Sequence, residues 1–312
     1  MAEKIATREA YGNALVELAE KYNFVVLDAD LAAATKTSIF KKAYPDRFFN
    51  CGIAEGNMLS VAAGIATTGV VAFASSFAMF AAGRAYEQIR NSVGYPHLNV
   101  KIGATHAGVT VGEDGATHQC NEDIALMRTI PGMLILNPAD AIETRAAVEA
   151  AILHDGPAYI RLGRLAIPAV NGEDYQFEVG KGVTLRDGTD VTIVATGVMV
   201  HIALEAAEML AGEGISARVI NIHTIKPLDA AILEKAARET GAIVTAEEHT
   251  IVGGLGSAVT EALCESCPVP VLRVGTNDCY GRSGTAVQML AYTGLTAENI
   301  AAKAREAIAK KK

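Results

Sequence analysis

Half of the 312 residues are hydrophobic, a fifth are charged and the net charge is −8. That balance describes a globular chain long enough for two domains, each with its own core. It excludes a nucleic-acid binder, because Lys and Arg form no phosphate-tracking stripe and the one basic run, Lys310-Lys311-Lys312, reads as a solvated tail.

Met1 to Ile5 lacks the long apolar core of a signal peptide. The most apolar stretch, 61–82, is interrupted by Gly64, Thr67, Thr68, Gly69, Ser75 and Ser76, which suits a buried helix, turn and strand better than a membrane span. The cysteines at 51, 120, 264, 267 and 279 read as reduced thiols of a cytoplasmic protein. Cys264-x-x-Cys267 has no second ligand pair to complete a metal site and reads as a helix ending on two thiols.

In chain order, residues 7–22 have helical periodicity, with Ala10, Ala14, Leu15, Leu18 and Ala19 on one face. A buried strand follows at 24–27, then helix 56–67, strand 70–74, helix 81–91 and strand 100–104. Helix 122–129, strand 133–136, helix 139–153 and strand 158–160 complete this set. A break falls at 168–182, where Asn171-Gly172-Glu173-Asp174 supplies turn chemistry. Strands at 191–195, 217–220, 243–246 and 269–274 then alternate with helices at 200–211, 228–239, 257–264 and 296–310. Short continuous apolar strands between helices predict an α/β fold of two domains, each a mostly parallel sheet flanked by helices. The expected division is 1–165, a linker at 166–185, and 186–312.

Two common catalytic motifs are absent: there is no Gly-x-Ser-x-Gly elbow and no Gly-x-x-x-x-Gly-Lys-Ser/Thr loop. Gly253-Gly254-Leu255-Gly256 superficially resembles a phosphate-binding turn but lacks the Gly-x-Gly-x-x-Gly spacing, so tight strand-to-helix packing explains it. Polar groups concentrate instead at strand ends of the first half. Glu55 stands at the entry to an apolar helix, where an acid also complements the helix dipole. Thr105 to His118 holds two histidines, two acids and three glycines, a poor core segment placed where open α/β sheets bind ligands.

These segments resemble the transketolase family. The resemblance rests on Gly52–Met58, Phe77-Ala78-Met79-Phe80, Thr105–Gly108 and Gly112–Gln119, which look like its pyrimidine-binding domain. Asp46-Arg47-Phe48, Arg84–Arg90, Glu122–Ala125, Ile225–Asp229 and Glu247-Glu248-His249 through Gly254 extend it over nearly the whole chain. The family's separate diphosphate-binding domain carries Gly-Asp-Gly and a downstream Asn that hold the metal. No Gly-Asp-Gly occurs here, so the chain resembles the C-terminal half of a transketolase made as two polypeptides.

The resemblance implies thiamine diphosphate as cofactor, with Mg²⁺ or Ca²⁺ held by an N-terminal partner subunit in an α2β2 heterotetramer. It implies sugar-phosphate substrates, transfer of a two-carbon ketol unit, and no activity for this chain alone. Glu55 matches the carboxylate that activates the aminopyrimidine; Phe77 and Phe80 match the aromatic residues around that ring. His106 is placed near the substrate phosphate, His118 near the reacting oxygens, and Asp114 on a donor hydroxyl. Arg8 and Arg164 match the phosphate-binding arginines, whose forked donors suit that group. Ala34 and Gly163 stand where the family often has serine, and Gly56 where glutamine is frequent. Alternatives within thiamine chemistry are a 2-oxoacid dehydrogenase beta subunit and half of a deoxyxylulose-phosphate synthase; outside it, a nucleotide-binding regulatory module on Gly253–Gly256.

Overall fold

The computed structural model describes residues 4–172 and 174–311. Its first half contains strands β1 (Ile5–Ala6), β2 (Phe24–Asp28), β3 (Phe48–Asn50), β4 (Val71–Phe77), β5 (Val100–Thr105), β6 (Leu134–Leu136), β7 (Ala158–Arg161) and β8 (Ala166–Ile167). The second half adds β9 (Val183–Arg186), β10 (Val191–Ala195), β11 (Ala217–Asn221), β12 (Thr224–Lys226), β13 (Ile243–Thr250) and β14 (Val271–Thr276).

Seven strands form one sheet in the order β12-β6-β7-β5-β4-β2-β3, parallel except where β12 meets β6. Five form another, β14-β13-β10-β11-β9, parallel except at β9. β1 and β8 make a short antiparallel ribbon. Parallel strands must be covered on both faces, and the continuous apolar runs meet that need. On one face of the larger sheet, Tyr11, Leu15, Phe40 and Val148 pack with Phe24 and Phe73. On the other, Met58, Leu59, Ile124 and Met127 surround Ile102, and the same core continues into Ile220, Leu233 and Leu255 of the second half. Because β12 also joins the edge of the first sheet, the two halves share both a sheet and a core.

The helix expected over 7–22 stops at Leu18. Arg47 reaches across to the carbonyls of Ala19 and Tyr22 at 3.1 and 3.0 Å, which lie past the helix end, and to that of Phe24 in β2 at 2.9 Å. The stretch 61–82 divides into the end of helix Glu55–Ala66, a turn and β4. No described helix is long and apolar enough to cross a membrane. Instead of one helix over 81–91, wide π turns at Met79–Arg84 and Ile89–Gly94 bracket a short α segment, Tyr86–Gln88. Such widened turns recur at functional sites.

After β8, the buried Asp140 carboxylate accepts the backbone N–H of Val170 and of Asn171 at 2.8 Å each, and the Asn171 amide at 3.0 Å. Tyr175 donates to Glu143, which also accepts from Asn221 of β11 at 2.8 Å. The segment following β8 is thus tied to both halves. Glu173 of the expected turn and Lys312 of the basic tail lie outside the described residues.

Candidate active site

Glu55 is the first residue of its helix and is buried, 1% exposed. Its Oε2 pairs with Arg84 Nη1 at 3.0 Å, and the Arg84 guanidinium lies over the Phe80 ring, 4.8 Å from its centre. Phe80 is nearly parallel to Phe77, with centroids 5.8 Å apart and planes 11° apart. Both come from the exit of β4, where the wide turn after Phe77 places the second ring beside the first. His118 closes the group edge-on, 5.3 Å from Phe80 and 6.2 Å from Phe77. Offset and edge-to-face contacts of this kind favour a fixed aromatic wall.

His106 follows β5 directly, with a φ of +55° and a buried ring stacked on Phe77 at 3.8 Å. Arg8 Nη1 donates to His106 Nε2 at 3.0 Å. A guanidinium has no lone pair to offer, so Nε2 accepts and the proton sits on Nδ1, where it donates to Thr105 Oγ1 at 2.9 Å. Burial first, then the nearby Arg8 and Arg164 charges, push His106 down to about 3, and its imidazole is neutral. Arg8 is itself lowered from its ordinary value by burial and by Arg164. Arg164, from the chain after β7, bonds the Val111 carbonyl and pairs with Glu113 at 3.2 Å and Asp114 at 3.9 Å.

All eight residues singled out in the sequence therefore fall in one connected set. Contacts run from Glu55 through Arg84 to Phe80, Phe77, His118, His106 and Arg8, and Arg164, paired with Asp114, lies near enough for its charge to lower the pKa of both His106 and Arg8. Arg84 and Thr105 are additions. Arg84 carried one legible signal, its place at the head of the Arg84–Arg90 segment that extends the family resemblance. The departures are also accommodated. The backbone carbonyl of Ala34 accepts from Arg8 Nη1 at 2.9 Å, a contact that does not depend on the side chain at this position. A side chain at Gly163 would meet only Thr7 Oγ1 at ordinary contact distance, whereas one at Gly56 would press on Gln88 at 3.3 Å. Among the described residues no group of three or more His, Cys, Asp or Glu is arranged to hold a metal.

Gly253–Gly256 is not free to cradle a phosphate. The backbone N–H groups of Leu255 and Gly256 already donate to the buried Glu247 carboxylate, at 2.6 and 2.8 Å. Gly254 is required by its closeness to Glu247, because any Cβ there would collide with that carboxylate. The anion site of this helix N-terminus is filled from within the chain, which removes the support for a nucleotide-binding module.

The sequence matches the family profile for the transketolase pyrimidine-binding domain over residues 3–169, and that for the transketolase C-terminal domain over 180–300. It is 46% identical to a 6-deoxy-6-sulfo-D-fructose transketolase subunit of Clostridium sp. (strain MSTE9), covering 97% of this chain and 95% of that one. It is 41% identical to one of the subunits of an apulose-4-phosphate transketolase from Phocaeicola vulgatus, covering 98% of each. A solved split-gene transketolase, described as an inactive beta4 tetramer, superposes with a TM-score of 0.91 at 55% identity, over 99% of this chain and 100% of that one. The chain belongs to the transketolase family and corresponds to its C-terminal section, joining the pyrimidine-binding domain to the C-terminal domain.

Proposed function

We propose that this chain is the pyrimidine-binding subunit of a thiamine-diphosphate-dependent transketolase, transferring a two-carbon ketol unit from a ketose phosphate to an aldose phosphate. The observation that carries this reading is the aromatic wall of Phe77, Phe80 and His118 beside the buried carboxylate of Glu55. A flat heteroaromatic ring with a basic nitrogen needs that pairing: aromatic faces to pack on and an acid to bond the nitrogen. The residues fit an aminopyrimidine. Thiamine diphosphate, when bound, supplies the carbanion chemistry, and the protein supplies position and electrostatics.

Glu55 would bond the ring nitrogen of a bound aminopyrimidine and hold the shared proton there. His106, neutral and with both ring nitrogens engaged by Arg8 and Thr105, holds the Arg8 guanidinium in place near the substrate phosphate, and His118 stands near the reacting oxygens. Asp114 reads a donor hydroxyl as an acceptor. Arg8 and Arg164 grip the anionic end of the sugar. Relatives described as acting on a sulfonated sugar and on a sugar phosphate both have substrates with such an end. This arginine pair favours transketolase over a 2-oxoacid dehydrogenase beta subunit, whose substrates carry no remote phosphate.

The reading divides the chain at a linker over 166–185, between a cofactor domain at 1–165 and a second domain at 186–312. It requires a partner subunit with the diphosphate-binding domain, including ligands for Mg²⁺ or Ca²⁺, in an α2β2 assembly, and it places the enzyme in the cytoplasm. Calorimetric titration of thiamine diphosphate tests it. The isolated chain should bind weakly, and its mixture with the diphosphate-binding subunit and Mg²⁺ should bind tightly. Equal affinity with and without the partner contradicts a divided site.

A further inference from the structure

The loop from His106 to His118 carries three of the proposed site residues, and its regular structure is a short 3₁₀ stretch over Val109–Asp114 that is interrupted at Gly112. His106, Gly108, Gly112 and Gly115 all have positive φ, between +55° and +79°. The repeated positive-φ positions limit its own backbone hydrogen bonds to short turns, so ties from outside help to set it. Gln119 provides one, donating to the Val109 and Gly112 carbonyls at 3.2 Å each.

A second tie comes from the other half of the chain. The apolar run of β13 ends at Ala246, but the strand continues to Thr250, carrying Glu247, Glu248 and His249 beneath the loop. Each side chain has a separate task. Glu247 caps the following helix, and His249 Nε2 accepts the Ala125 N–H at 3.3 Å. Glu248 Oε1 accepts the Thr110 N–H at 2.6 Å, inside the loop. Gly108 packs so closely on the Glu248 carboxylate that any side chain there would collide with it. Arg161 fixes the strand from behind, donating to the Glu248 carbonyl at 2.8 Å while pairing with buried Asp123 at 2.8 Å. Burying a carboxylate is costly where an apolar side chain would pack as well, so its presence calls for a use.

The geometry points to Glu248 as a positioning residue: the second half of the chain sets the active-site loop through the hydrogen bond from Thr110 to Glu248. This inference rests on the transketolase reading for what the loop does, but not for the tie itself. Glu248 acts through the loop and touches no reacting atom. Its side chain needs an acceptor at Oε1 rather than a charge, so glutamine should substitute and alanine should not.

Two measurements test it. Hydrogen–deuterium exchange of the isolated chain should show peptides over 106–119 exchanging faster in Glu248→Ala, near wild type in Glu248→Gln, and no change over β2 or β10. In the reconstituted enzyme, Glu248→Ala should lower kcat/KM for the ketose donor by about 2- to 10-fold, the worth of one ordinary hydrogen bond. Thiamine diphosphate affinity should be unchanged, and Glu248→Gln should recover most of the loss. If alanine prevents folding, Glu248→Asp, which draws the acceptor back by one methylene, should loosen the same peptides. Unchanged exchange over 106–119, faster exchange throughout the chain, or equal loss with glutamine and alanine would each overturn the inference. If exchange responds as expected and even wild type transfers no ketol unit, the tie stands and the transketolase reading alone fails.

Discussion

The ring of His106 lies on the face of Phe77 at 3.8 Å while its Nε2 accepts a hydrogen bond from Arg8 at 3.0 Å. One side chain thus joins the aromatic wall to the cationic end of the site, and it does so as a neutral imidazole. Protonation would place a third positive charge beside Arg8 and Arg164 and remove the acceptor that Arg8 uses.

A pH dependence follows. The folded value of about 3 lies below the ordinary 6.5, so the unfolded chain binds a proton that the folded chain refuses. The stability gained by keeping His106 neutral is whole above about pH 6.5 and drains as pH falls toward 3. Denaturant titrations from pH 8 to 4 should show this slope in wild type and a shallower one in His106→Gln. In NMR, the His106 ring should remain neutral throughout that range; titration near 6.5 would contradict the described contacts.

Asp123 and Arg161 form a buried ion pair, completed by Tyr159 donating to Asp123 at 2.9 Å. Asp123→Ala strands a buried guanidinium and should cost about 3–5 kcal/mol, as breaking such pairs does. Replacing both charges, in Asp123→Leu with Arg161→Met, should recover part of that loss. Urea unfolding measures both; a double variant no better than the single would mean that the charges stabilise the fold outright.

The strands were legible wherever they were short, apolar and fully buried: the boundaries of β10 are those read from the sequence, and β2 gains a single residue. Elements that answer to distant partners were not. β12 has three residues and exists because β6 offers an open edge. The end of β13 was hidden because Glu247, Glu248 and His249 look like loop residues until their buried partners are seen. The wide turns around Tyr86 keep a helical composition, and only their hydrogen bonds distinguish them. In the site, the family resemblance marked the eight side chains that converge, whereas the Glu55–Arg84 pair depends on how two segments 29 residues apart meet.

Glu55→Gln preserves shape and removes the charge now paired with Arg84. Turnover of the reconstituted enzyme should fall at least ~100-fold, the scale of a lost acid–base contribution. Proton exchange at the cofactor, followed by quenched-flow NMR in deuterated water, should slow in parallel. An unchanged exchange rate would remove Glu55 from its proposed role.

Arg8 and Arg164 should act on binding at a distance from the reacting carbons. Arg164→Ala should raise KM for xylulose 5-phosphate by about 10- to 100-fold, the equivalent of a hydrogen bond to a charged group. Hydroxypyruvate, which has no phosphate, should be affected much less. Measured at fixed ionic strength, because exposed charges are screened, equal losses for both donors would make the arginines structural.

Ketol transfer by reconstitution tests the central claim most directly. Xylulose 5-phosphate and ribose 5-phosphate are supplied, with thiamine diphosphate and Mg²⁺, to this chain, to the diphosphate-binding subunit, and to the mixture. Transfer should appear only in the mixture and saturate as the subunits reach equal proportions. Full transfer by this chain alone, or pyruvate consumed faster than any sugar phosphate, would contradict the account.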